Sequence, residues 1–265
     1  MKYSRILAIA LMASPMTVQA DALFGNGLAG DRNLPRTFGI GIDYFRMDQP
    51  YRIDSLTFVV PQPSPLPPAI DPSIVLVDNE LRNVDIKFDV WLLPFLNVFA
   101  LYGDIEGQTD VDLSGLGLSL PPIAINYDGD VYGGGLVLAG GGERWFASLT
   151  ATLTDSSLSG EFNSSVDATT LQPRIGARIS ERAEFWIGGY YIDAEESHSG
   201  TTSINLGPLV GGEIPVDFAV DLSQKSDFNV SFGGHFMLSD SWEATIEVGG
   251  GDRRTMLANF TYRID

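Results

Sequence analysis

The stretch ELRNVDIKFDVWLLPFLNVFALYGDIEG, Glu80 to Gly107, decides the fold. Val84, Ile86, Phe88, Val90 and Leu92 take every second position, with Asp85, Lys87 and Asp89 between them. Strict period-2 alternation makes an extended chain with one apolar and one charged face. A helix through Pro94 would lose a backbone hydrogen bond and clash with its preceding turn. The stretch therefore reads as an antiparallel hairpin, turning at Leu93-Pro94-Phe95 and returning to about Ile105.

The same unit recurs outward in both directions. Arg36 to Met47 sets Phe38, Ile40, Ile42 and Tyr44 against Gly39, Gly41 and Asp43. Further alternating runs span 126–139, 144–154, 170–179, 184–192, 228–238, 242–248 and 255–264. Together they make about ten strands of roughly 9–13 residues, the length that crosses an apolar band of ~25 Å at a tilt near 45°. Turns near 93–95, 140–142, 180–183 and 239–241 are tight, whereas the connections 48–79, 108–123, 155–167 and 193–225 are long. An even strand count with this alternation predicts an all-β, closed, antiparallel up-and-down transmembrane barrel over residues 36–265. Short turns then face the periplasm and long loops face outward.

The flanks agree with export. Residues 1–20 read as a signal peptide: Lys2 and Arg5, an apolar core from Ile6 to Ala13, then Val18-Gln19-Ala20 before Asp21. Its removal takes two positive charges from a chain of formal charge −18. Residues 21–35, with Gly25, Gly27 and Gly30, form a lead-in to the barrel. No later segment offers 18 consecutive apolar residues, so spanning helices are not expected. Without cysteine there is neither a disulfide framework nor a thiolate metal site. So acidic a chain is a poor nucleic-acid binder.

In this architecture and in its final strand the chain resembles the small outer-membrane β-barrel proteins of Gram-negative bacteria. Phe260, Tyr262 and Ile264 alternate as in the C-terminal strand that the barrel assembly machinery reads in those proteins, although Asp265 rather than an aromatic residue stands last. The resemblance implies location in the cell outer membrane, among lipid and lipopolysaccharide.

Alternation alone does not separate a membrane barrel from a soluble lipocalin-like one, whose apolar face points inward. Three features favour the membrane. Trp145, Phe185, Tyr191, Trp242 and Tyr262 lie near strand ends on the apolar face, as interfacial girdles do. The opposite face is rich in glycine, which suits a crowded lumen. The third feature is the alternation of connection lengths.

Counting from the short turns places the inward charges by depth. Arg178 and Glu243 share a level near the periplasmic end, and Arg174 and Glu247 lie four residues deeper. Glu184, Arg144 and Arg263 join them near that end, with Asp89 and Lys87 a little above. Charges so confined need partners. The sequence thus predicts an ion-pair network, centred on Arg174, Arg178, Glu243 and Glu247, that plugs the lumen.

Reactive constellations are sparse. The two histidines are His198 and His235. Asp110-Val-Asp112 and Glu195-Glu196-Ser197-His198-Ser199 are the nearest approach to the acid pairs of omptin proteases or the Ser–His–acid sets of lipid A deacylases, and neither lies on a motif of those families. Both read as solvated loop residues, and His235 as one polar lumen group, so no enzyme, cofactor or metal is expected. Pairs such as Asp110/Asp112 and Asp128/Asp130 lack the spacing of an EF-hand.

The stretches 48–79, 104–130, 155–167, 193–227 and 249–254 hold twenty-one acidic residues against Arg52, Lys225, Arg253 and Arg254, an acidic exterior that repels lipopolysaccharide unless divalent cations bridge the two. They are also apolar in places: Leu56 to Val60, Ile74 to Val77, Leu113 to Leu120 and Ile204 to Val210. Such segments either pack against one another as extended strands or offer a surface to a hydrophobic ligand or partner protein. The function expected is a non-enzymatic, plugged barrel serving envelope integrity or binding through its loops. A narrow pore for small solutes is the alternative, and a loop-side hydrolase the least favoured reading.

Overall fold

The computed structural model describes residues 22–25, 35–59, 75–112, 114–116, 122–160, 163–205 and 213–265. The expected signal peptide and the proline-rich segment 61–68 lie outside them. The strands are β1 (Phe38–Val59), β2 (Leu76–Leu93), β3 (Leu96–Asp112), β4 (Ile123–Gly141), β5 (Trp145–Gly160), β6 (Asn163–Ser180), β7 (Ala183–Asn205), β8 (Glu213–Gln224), β9 (Phe228–Met237), β10 (Trp242–Gly250) and β11 (Arg254–Ile264). All pairings are antiparallel and the sheet closes on itself. The four periplasmic turns fall where the sequence puts them.

Closure happens twice, at two heights. β8 and β9 are collinear: the lower half of β7 pairs with β9 (Ala183↔Phe236 to Tyr191↔Phe228) and its upper half with β8 (Glu195↔Ser223 to Asn205↔Glu213). β1 likewise pairs with β11 from Phe38↔Ile264 to Asp48↔Arg254, then with β8 from Tyr51↔Gln224 to Val59↔Asp217. The lower ring thus has ten strands. Above the short β10–β11 hairpin, β1 and β8 meet directly and eight strands continue. Strand spacing is fixed, so the perimeter falls by about one fifth.

The two levels turn opposite faces to their surroundings. On the lower part of β2, Val84, Ile86 and Phe88 are exposed while Asp85 and Asp89 are buried. On its upper part Asp78, Glu80 and Arg82 are exposed while Val77 and Leu81 are buried. β1 does the same: Ile40 and Ile42 point out below, and Tyr51 and Ile53 point in above. The strand keeps its parity; the chemistry changes sides. Below, the outward face meets hydrocarbon and must be apolar; above, it meets water, so the apolar residues fill the interior. Tyr51, Ile53, Val77, Ile125, Val220 and Leu222 form that upper core.

The lipid-facing runs are short, as from Val84 to Leu92 on β2 or from Phe228 to Phe236 on β9, matching a strand's crossing of an outer membrane. Aromatic residues border the belt. Trp242 stacks on Phe260 (centroids 4.7 Å apart) and tilts against Tyr262 at the periplasmic rim, and Tyr102 and Tyr132 stand opposite each other at the outer rim. The chain is a transmembrane β-barrel of the outer membrane.

One expectation is corrected. Residues 48–59, 76–79, 108–112, 155–160, 163–167, 193–205 and 213–224 are strand rather than loop, and β4 begins three residues early, because serine, glycine and acidic residues on a water-facing strand look like loop composition. Leu56 packs against the upper core and Val75 and Val77 lie in it, whereas Val59 and Leu76 stand exposed on the outer wall. Much of 113–120 and 206–210 lies outside the described residues. Finally, the lead-in is tied to the barrel at 22–24: Leu23 and Phe24 amides donate to the Trp91 and Leu92 carbonyls at 2.8 and 2.9 Å.

Candidate functional site: the charged lumen

The inward residues of the lower ring fall into separate clusters, and two of them are built over glycines. Gly39 of β1 stands between Arg263 of β11 and Asp89 of β2. A methyl group at Gly39 would lie 2.2 Å from the Asp89 carboxylate and 2.8 Å from the Arg263 guanidinium. With only hydrogen there, Arg263 reaches across β1 to Asp89 Oδ1 (2.5 Å) and back to Glu243 Oε2 on β10 (2.8 Å). Asn97 Nδ2 donates to the same Asp89 oxygen at 2.6 Å. The ion pairs cross the seam between first and last strand.

A second cluster lies higher. Arg174 on β6 donates through Nε (2.8 Å) and Nη2 (2.6 Å) to Glu247 Oε2 on β10, a carboxylate with no solvent exposure. Ser231 Oγ donates to Glu247 Oε1 at 2.5 Å. The guanidinium lies over the Trp186 ring, 5.3 Å from its centroid, and reaches Thr150 Oγ1 at 3.3 Å. Gly188 and Gly233 make the space, since added side chains would strike Arg174 and Trp186.

Two further pairs complete the set. Lys87 Nζ lies 2.9 Å from Asp43 Oδ2, and Asn259 also donates to Asp43. Arg178 Nε lies 2.8 Å from Glu184 Oε1, directly opposite on the β6–β7 hairpin, and its Nη1 donates to the Gly142 carbonyl.

The depth count is right for Arg174 with Glu247 and needs correction elsewhere. Arg178 and Glu243 do not meet, because each finds a partner sooner on a nearby strand: Glu184 and Arg263. Arg144 is exposed in its turn and makes no ion pair among the described residues; only its carbonyl takes part, accepting from the Arg178 amide at 3.1 Å. Sequence reading missed Asp43, Asn97 and Thr150 as members, although their inward parity was visible.

His198 is also corrected. It is 1% exposed, inside the upper barrel rather than in a solvated loop. Its Nδ1 meets the Ser164 hydroxyl at 2.7 Å and its Nε2 meets the Glu196 carboxylate. Thr109 donates to Glu196 at 3.3 Å, and Asn79 Nδ2 donates to Thr109 (2.9 Å) and to the Tyr127 hydroxyl (2.8 Å). Ser199 stays outside this chain of bonds. The Ser–His–Glu order is that of a hydrolase, but the histidine and the acid have no exposed surface and both ring nitrogens are engaged. Burial, then the Glu196 charge, push the Tyr51 and Tyr127 phenols well above their ordinary range. His235 keeps its expected place, with Nδ1 3.1 Å from Thr245 Oγ1.

On the outer wall, just above the lipid belt, carboxylates stand opposite one another on adjacent strands: Asp78 and Asp110, Asp104 and Asp130, Glu106 and Asp128, Asp155 and Asp167. Arg82 pairs with Glu106. Among the described residues no group of three His, Asp or Glu side chains is arranged as a metal site.

No protein-family model matches the sequence, and a search of curated proteins returns no match. Among solved structures the fold is similar to the outer membrane protein OprG of Pseudomonas aeruginosa, at 12% identity and a TM-score of 0.42, covering 87% of this chain and 98% of that one. It is similar to the transport unit of the autotransporter AIDA-I of Escherichia coli at 10% identity and a TM-score of 0.40, covering 93% and 95%. It is also similar to the Pseudomonas putida toluene transporter TodX, at 9% identity and a TM-score of 0.32, covering 91% and 93%.

Proposed function

We propose that this protein is a closed, non-enzymatic barrel that serves envelope integrity, its acidic collar holding divalent cations against lipopolysaccharide. The observation that carries the reading is the set of cross-strand carboxylate pairs at the outer rim. Like charges directly opposite destabilise a sheet. Oxygen-rich sites recruit hard divalent cations, and the same ions bridge to the phosphates of neighbouring lipopolysaccharide. The ion pairs among inward residues of the lower ring support a structural role over a conducting one.

The test is complementation of a strain lacking the protein, scored by sensitivity to a hydrophobic dye and to a detergent. The intact chain should restore the barrier. A chain carrying D104N, D130N, D155N and D167N should reach the membrane in equal amount and fail to restore it. Equal rescue by the neutralised collar would overturn the reading. Planar-bilayer recordings should show little steady conductance; a large, stable, ohmic channel would put the pore in its place. An epitope inserted after Ser64 should be detected on intact cells.

A further inference from the structure

Where ten strands give way to eight, three pieces of chain part company. They are β1 near Asp48–Tyr51, the 225–227 link between β8 and β9, and the 251–253 turn between β10 and β11. Arg253 fills the notch. It is 2% exposed; its Nε donates to Gln49 Oε1 and its Nη2 to the Ser226 carbonyl, both at 2.7 Å. Other buried lumen arginines, such as Arg174 and Arg263, have a carboxylate within reach. Arg253 has none at ion-pair distance among the described residues, and Asp227, whose field supports it, is exposed.

Unused hydrogen-bonding capacity collects at the same place. Arg253 Nη1, Gln49 Nε2, Asn229 Nδ2 and Thr255 Oγ1 are all buried and without a partner. Three of these are donors only, the Thr255 hydroxyl can donate or accept, and Asn229 Oδ1 is a free acceptor. Asn229 is itself only 2% exposed. Glycines at the turn create the niche. A methyl group at Gly249 would lie 2.2 Å from Thr255 Oγ1 and 2.6 Å from Asn229 Nδ2, so both groups face one small space. At Gly251, φ is +143° and a methyl group would lie 2.8 Å from Asn229 Oδ1.

A buried cation with no carboxylate at ion-pair distance is costly, and unpaired buried donors add to the cost. Water could satisfy the donors but would leave the charge. We propose that this junction binds a small inorganic monoanion, chloride under ordinary conditions, held by Arg253, Gln49, Asn229 and Thr255. The ion ties the ten-strand ring to the eight-strand barrel. The site is independent of the outer collar, on the other side of the wall and of opposite sign.

The test uses the full chain in detergent, melted in sodium chloride and in sodium gluconate at equal ionic strength, since gluconate is too bulky for the niche. The expected result is a melting temperature higher by roughly 3–6 °C in chloride. R253Q should melt lower and show no difference between the salts. Should R253Q fail to fold, T255V and N229L each remove one donor and should raise several-fold the chloride concentration giving half the effect. Crystals grown in bromide should show an anomalous peak beside the Arg253 guanidinium. Equal melting in both salts with no bromide peak means ordered water only and overturns the proposal. A bromide peak without chloride dependence marks an adventitious ion only, and overturns it equally.

Discussion

The same strands build two interiors. Below the outer rim the inside holds Asp89, Arg263, Arg174 and Glu247; above it the inside holds Ile53, Val77, Val220 and Leu222. The side-chain parity is the same in the two halves of β1 and of β2. What differs is the medium outside. In the membrane the outer face satisfies the lipid and the inner face is left to pair its own charges; in water the requirement reverses. Hydrophobic burial therefore holds the upper level together, whereas the lower level relies on lipid outside and complementary charge inside.

The sharpest way to break that comparison is to move a charge to the wrong side of each level. Val77→Arg or Val220→Arg places an unpaired cation in the upper core and should cost on the order of 5 kcal/mol. Asp78→Arg, one residue along, should cost little. Urea unfolding followed by tryptophan fluorescence would measure both, and equal losses would sink the inverted assignment.

Next in size is the lower interior. Glu247→Ala leaves Arg174 buried and unpaired, at a cost of about 3–4 kcal/mol. Glu243→Ala should cost less, because Arg263 keeps Asp89. Together the two should also make the barrel leak in bilayer recordings. In the lipid-facing wall, Leu149→Arg or Val230→Arg should cost about 2–4 kcal/mol in folding into lipid. The neighbours Thr150 and Ser231 are poor controls, because both touch the Arg174–Glu247 cluster. The half-buried, inward Thr152 is the better one.

The two levels should also part with pH. Tyr51 and Tyr127 have raised folded-state pKa values, so their contribution is complete below the unfolded value near 10 and declines as pH rises beyond it. The slope approaches ~1.4 kcal/mol per pH unit per phenol. Hydrogen exchange should show the upper barrel loosening before the lower as pH climbs above 10. Simultaneous loss at both levels would count against it. The smallest effect belongs to Arg182–Asp240, an exposed pair at a periplasmic turn with nitrogen and oxygen 3.2 Å apart. Asp240→Ala should change stability by no more than about 0.5 kcal/mol.

Much of the lower level was legible because its code is local. Alternation in Val84 to Leu92 names the lipid face, Pro94 names the turn, and counting from turns put Arg174 beside Glu247. The upper level hid behind its own composition. Ser-Ser-Leu-Ser-Gly in β5 and the acidic run in β7 look like loops, because a water-facing strand carries the residues that loops carry. The apolar partners meet only through closure, as Tyr51 meets Gln224 across more than half the chain. His198 was missed for the same reason: its neighbours Ser164 and Thr109 come from other strands. Arg253 was counted as loop charge, since nothing in Gly-Gly-Gly-Asp-Arg-Arg states that a junction will close over it.

β1 belongs to both closures, and this governs how the barrel can assemble. A register slip of one residue against β11 would turn Ile40 and Ile42 into the lumen, and would have to be repeated against β8, where it would expel Tyr51 and Ile53 to water. The irregularity between Ile53 and Ser55 fixes the upper pairing by itself. The first strand acts as a gauge that sets the shear of two rings of different circumference. Whichever ring closes first dictates the register in which the other can close.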